Sequence, residues 1–190
     1  ASGQVASLKR RTAEGNPSAS VMIWNISTMS RDTRDPAEGG WKSRGVLARE
    51  HMFRILALDF DMSGSKLVTY GGKPDASARV VVYDWKAGKV LWAISASCTV
   101  VTAIKHNPSA RFEFVQLSEK TVRFWDHKVA EANPDQASKG GSYLKFAKKN
   151  VQSNDVTFTD DGLAAIVAMA NGCVYFFADK GGQKMVVAEL

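Results

Sequence analysis

Apolar and polar residues alternate along most of this chain with a period of two, and the alternation is punctuated at regular intervals by turn-forming residues. Three segments align without gaps: ALDFDMSG at 57–64, AIKHNPSA at 103–110 and DVTFTDDG at 155–162. Each reads as a half-buried strand that runs into a tight turn. A second pattern follows each turn, as RVVVYD at 79–84, TVRFWD at 121–126 and GCVYFF at 172–177. An earlier copy, SVMIWN at 20–25, has no turn motif ahead of it. Between turn and aromatic motif lie KLVTY at 66–70, EFVQL at 113–117 and AAIVA at 164–168. After the motif come KVLWAI at 89–94, SYLKF at 142–146 and QKMVVAE at 183–189. All are short, rich in β-branched or aromatic residues, and bounded by Gly or charge. Helical periodicity is absent, which predicts an all-β fold.

The aromatic positions Trp24, Tyr83, Trp125 and Phe177 stand 59, 42 and 52 residues apart. A four-stranded propeller blade takes about 40–45 residues when its loops are short. The longer gaps hold insertions at 31–41 and 129–141, rich in Pro, Gly, Asp and Ala. The chain therefore divides into an incomplete first blade with its insertion at 1–49 and blades at 50–96, 97–149 and 150–190, about three and a half in all. Propellers close with about 4–8 blades, which hides their sheet edges. The expectation is part of a larger ring, completed by missing sequence or by another chain.

Of the 190 residues, 45% are hydrophobic and 23% charged, values compatible with a packed core. No apolar run approaches the roughly 18 residues of a membrane span, and the polar, basic start lacks the apolar stretch of a signal peptide. The two cysteines, Cys98 and Cys173, lie beside apolar strands. They read as buried reduced thiols, which suit a cytosolic compartment, with a disulfide between them as the other reading. The formal charge is +6, with basic clusters at 9–11, 31–44 and 145–149. These clusters either draw an acidic partner or form a solvated face of mixed charge with the 19 acids. Aromatic residues do not interleave with them as single-stranded nucleic acid would require. Nucleic acid and membrane are therefore not expected partners.

Catalytic chemistry finds no place in the pattern. His51, His106 and His127 occupy three different kinds of blade position. No Gly-rich loop runs from a strand into a helix to cradle a phosphate. The Asp160-Asp161-Gly162 turn lacks the remaining ligands of a calcium loop. Neither enzyme activity nor a metal or cofactor is expected.

The aromatic-Asp ending of the third strand, Tyr83-Asp84 and Trp125-Asp126, resembles the signature of WD repeats. That resemblance also implies a structural His ahead of the first strand, and His51 stands nine residues before Phe60. Ser97 and Lys149 occupy the corresponding places in the next two blades and depart from the pattern. The opening ASGQVAS, followed by SVMIWN, is similar to the segment "ATGQVAG…VRIWD" that opens the first propeller of the echinoderm microtubule-associated protein-like family. The run from Arg54 to VYDW at 82–85 resembles that family's "V…AF…SG…D…VWDW", with Trp85 after the Asp as its distinctive residue. The third and fourth blades match in outline, so the resemblance spans nearly the whole chain. The family's preceding hydrophobic motif, coiled coil and second propeller are not in this sequence.

The resemblance implies a non-enzymatic interaction module that binds tubulin or other microtubule partners in the cytoplasm, on the cytoskeleton or in a cilium. Tubulin is strongly acidic, which makes the basic insertion with Arg31, Arg34, Lys42 and Arg44 the candidate contact element; a merely solubilising insertion is the competing reading. The other functional reading is a general WD-repeat scaffold of another complex, such as a ubiquitin-ligase adaptor or a trafficking assembly.

Overall fold

The computed structural model describes residues 4–11, 18–25, 51, 54–72, 78–95, 101–109, 113–119, 121–126, 143–145, 152–180 and 183–190. Fourteen strands make up the described chain, with no helix among these residues. Strands β1 (Gln4–Arg11) and β2 (Ser18–Asn25) pair as a two-stranded antiparallel sheet. The first four-stranded sheet is β3 (Ile55–Phe60), β4 (Lys66–Gly71), β5 (Arg79–Asp84) and β6 (Lys89–Ser95), in that order. The second is β7 (Val101–His106), β8 (Glu113–Ser118), β9 (Thr121–Asp126) and β10 (Tyr143–Lys145). The third is β11 (Ser153–Phe158), β12 (Ala164–Met169), β13 (Val174–Lys180) and β14 (Gln183–Glu189). All pairings are antiparallel between consecutive strands, as in the blades of a propeller. Strand β1 is an element that the sequence patterns left unread.

Register shows that the sheets are copies of one unit. Leu67 pairs with Tyr83, Phe114 with Trp125, and Ala165 with Phe177, which makes these three pairs equivalent. The first strand carries a bulge at the same place each time, between Ile55 and Ala57, Val101 and Ala103, and Ser153 and Asp155. Such an extra residue bends the strand and strengthens its twist. The turns leading into β4, β8 and β12 close with Asp61 N–H to Lys66 O, Asn107 N–H to Glu113 O, and Thr159 N–H to Ala164 O. The middle one is therefore one residue longer, an irregularity hidden by an alignment that stops at the turn.

The sheets stack face to face, with β3 beside β7 and β7 beside β11. This explains why Val80, Val81 and Val82 are all buried although they are successive residues of one strand. Alternation puts Val81 on one face and its neighbours on the other, and both faces are covered. Val81, Leu67, Tyr83 and Trp85 pack on Val21 and Ile23 of β2. Val68, Tyr70, Val80, Val82, Trp92 and Ile94 pack on Ile104, Phe114 and Trp125 of the second sheet. The other face of that sheet, with Val115, Leu117, Val122 and Phe124, packs on Val156, Val167, Tyr175 and Phe177 of the third.

Aromatic rings fill the first of these two blade junctions. Phe114 stacks on Trp125 at 5.8 Å and 9° between planes, and Trp92 lies 6.1 Å from each. Rings at such offsets add about 0.5–1.5 kcal/mol per pair to the burial itself. Truncating Phe114 removes the ring in contact with both tryptophans. Phe114→Ala is expected to cost about 3–5 kcal/mol in urea unfolding, whereas Phe114→Leu should retain most of the stability.

Candidate interaction surface

His51 is buried ahead of β3, where its Nε2 shares a 2.6 Å hydrogen bond with Thr69 Oγ1 of β4. Thr69 in turn donates to Val81 O of β5. The imidazole thus ties the approach to the first strand to the middle of the sheet. Burial pulls its pKa from 6.5 down to about 4; the Gly71 backbone opposes that shift and the charge of Arg79 adds to it. Gly71 is required here, because a Cβ would stand 2.1 Å from Arg54 O and 2.9 Å from His51 Nδ1. Thr69 has Gln116 as its counterpart in the second blade, where Gln116 Oε1 accepts from Trp125 Nε1 at 3.0 Å. The corresponding His positions, Ser97 and Lys149, lie outside the described residues.

The aromatic-Asp motifs divide between core and turn. Tyr83 and Trp125 are buried. Asp84 Oδ1 accepts from Ala87 N–H at 2.9 Å and so shapes the β5–β6 turn, while Asp126 is exposed. Trp85 folds back over its own blade: it meets Phe60 edge-on at 6.0 Å and donates from Nε1 to Gly64 O at 2.8 Å. This one side chain locks the β5–β6 turn against the β3–β4 turn. Tyr83 and Trp85 therefore come together in one cluster, and Trp125 lies in another on the far side of the sheet. The side-chain hydrogen bonds of His51 to Thr69 and of Trp125 to Gln116 stay within their own blades.

Polar side chains also pin the turns at one end of the stack. Burial raises the Asp61 pKa, but hydrogen bonds from Ser63 Oγ and from the Lys66 and Ser65 amides, together with the nearby His106, outweigh it and lower the pKa overall. Asp59 of β3 accepts from His106 N–H of β7 at 2.7 Å, which joins the first two blades. Asn107 donates from Nδ2 to Gly162 O at 2.8 Å, which joins the second to the third. Gly162, at φ 69°, leaves no room for a side chain: a Cβ would lie 2.1 Å from Asn107 Oδ1 and 2.7 Å from Ser109 Cβ.

Met62 and Leu163, 74% and 71% exposed, lie on turns held by side-chain hydrogen bonds. Lys86, Lys89, Asp160 and Asp161 are exposed as well. The sequence marked these segments as turns through their Gly, Asp, Asn and Ser content. It gave no sign that Asn107 and Gly162 meet across 55 positions.

Arg31, Arg34, Lys42 and Arg44 lie outside the described residues, as do the insertions at 31–41 and 129–141, His127 and Cys98. Cys173 is a half-buried free thiol. Among the described residues no group of three or more His, Cys, Asp or Glu side chains could hold a metal ion, and no helix is long and apolar enough to cross a membrane. No family model matches the chain.

Two measurements probe these ties. The folded pKa of His51 lies below the unfolded value, so the unfolded chain takes up the proton first as the pH falls. Stability that is complete above about pH 6.5 should drop between pH 6.5 and 4, by roughly 3 kcal/mol in all. His51→Gln should flatten that slope in urea melts taken at successive pH values. Gly162→Ala should lower stability by more than about 1 kcal/mol, because both the positive φ and the Asn107 contact oppose a side chain.

Proposed function

We propose that this protein is a non-enzymatic interaction scaffold of the WD-repeat kind, and that its partner is tubulin or the microtubule lattice in the cytoplasm. The observation that carries the scaffold reading is the way polar groups are used. The motif residues His51 and Trp125 hydrogen-bond within the core, and Asp61 and Asn107 hold turns. A stack braced in this way offers rigid turns and loops to a partner, and recognition residues are concentrated on such loops. The microtubule assignment rests on the GQVA opening, on the Asp84-Trp85 step and on charge. A chain of +6 is attracted to an acidic filament in a manner that salt screens. The basic residues Arg31, Arg34, Lys42 and Arg44 are the proposed contact element.

One observation favours a second reading, a scaffold for another multiprotein complex. Met62 and Leu163 expose apolar side chains on pinned turns, a feature suited to a protein surface of mixed polarity. The two readings separate in microtubule co-sedimentation across a salt series. On the first, pelleting weakens as salt rises and charge reversal at Arg31, Arg34, Lys42 and Arg44 abolishes it, while Met62→Ser with Leu163→Ser has little effect. Absence of pelleting even at low salt would reject the microtubule partner and leave the second reading.

A further inference from the structure

Seven asparagines occur in the chain, and they differ in the residue that follows. Asn16, Asn107 and Asn133 precede proline, whose nitrogen carries no hydrogen. Asn25 and Asn150 precede Ile26 and Val151, whose branched side chains crowd the backbone nitrogen they share a residue with. Asn154 precedes Asp155. Asn171 alone precedes glycine, which leaves its own nitrogen open to a neighbouring group.

Both Asn171 and Gly172 are exposed, in the turn between β12 and β13. Gly172 N–H donates to Met169 O at 3.1 Å, and Met169 N–H donates to Cys173 O at 2.9 Å. The Asn171 carboxamide Oδ1 accepts from Cys173 N–H at 3.1 Å. That contact closes a ring of atoms that contains both Asn171 Cγ and the Gly172 nitrogen.

The Asp161-Gly162 turn is built alike, with Gly162 N–H on Thr159 O at 2.8 Å and Leu163 N–H on Asp161 Oδ1 at 2.9 Å. Two differences keep that turn inert. A hydrogen bond from Thr159 Oγ1 holds the Asp161 carboxyl ionised, without a leaving group, and Gly162 is wedged against Asn107 and Ser109. Around Gly172 nothing stands within 4 Å of the place a Cβ would take, so its peptide has room to swing.

We propose that Asn171 is a site of spontaneous deamidation, in which the Gly172 nitrogen attacks Asn171 Cγ. The nitrogen gives up its proton to water and forms a bond to Cγ. The Cγ–Nδ2 bond breaks, and the carboxamide nitrogen leaves as ammonia. Water then opens the five-membered imide at either carbonyl, to an ordinary aspartate or to the β-linked isoaspartate.

Isoaspartate adds one carbon to the main chain of the turn, so the Gly172–Met169 and Met169–Cys173 bonds cannot both keep their geometry. The change reaches a blade junction. Ala170 N–H donates to Gln152 O at 2.8 Å, and the next residue, Ser153, holds the second blade through Glu119 O at 3.2 Å and Ser118 O at 2.7 Å. The modification thus loosens the third blade from the second at the end away from the Asn107–Gly162 tie.

Ageing the folded 190-residue chain at mildly alkaline pH tests this, with isoaspartate located by peptide mapping and quantified with an isoaspartyl methyltransferase and a labelled methyl donor. Isoaspartate is expected at residue 171 before any other, at a rate that rises with pH because the attacking nitrogen must lose its proton. Ring closure breaks two hydrogen bonds of an exposed turn, so the folded chain should convert about 10- to 100-fold more slowly than the chain in urea. The aged chain should lose hydrogen-exchange protection at the Met169 and Ser153 amides. Freshly prepared Asn171→Asp should keep that protection, and Asn171→Gln should neither convert nor lose it. A folded chain that stays unmodified at residue 171 beyond that delay overturns the proposal. So does isoaspartate that arises first elsewhere or persists in Asn171→Gln, or an aged chain in which both amides remain protected.

Discussion

Burial of one sheet face against the next is the interaction on which everything else in this molecule depends. A lone four-stranded blade of this composition has two apolar faces and cannot cover either by itself. Stacking covers both, so Val80, Val81 and Val82 can all leave water although they point in alternate directions. The aromatic trio of Trp92, Phe114 and Trp125 shows how specific the fit becomes, since the rings belong to two different sheets and pack as one layer.

Hydrogen bonds contribute less net energy than this burial but decide how the sheets are aligned. The Asp59 bond to the His106 amide and the Asn107 bond to Gly162 O each cross a blade junction at the turn end. A slip of one blade past its neighbour would break both bonds, and loss of the buried Asn107 bond alone would cost about 1–3 kcal/mol. Trp85 performs a related task within one blade, joining two turns through a single indole. The turns that carry Met62 and Leu163 are therefore held by side-chain hydrogen bonds of Asp61 and Asn107.

The aromatic-Asp step, the feature most visible in the sequence, has mainly structural duties. Tyr83 and Trp125 are core residues, Asp84 shapes a turn, and His51 braces β3 against β4 through Thr69.

What this sequence determined by itself was the strand content and the blade repeat. Period-two alternation and turn residues are local properties, so the strands fell where KLVTY, EFVQL and QKMVVAE placed them, and Asp160-Asp161-Gly162 closed a turn as expected. Strand β1 escaped because LKRR at its end lacks that alternation, and its pairing with β2 supplies what the local pattern does not. Tertiary structure alone decided the rest. The bulge shared by Ile55, Val101 and Ser153 is a matter of pairing, invisible in any one strand. That Gly162 must be glycine follows from Asn107, a residue 55 positions away. Local sequence fixes which residues can form a face, and only the folded chain determines which face another one covers.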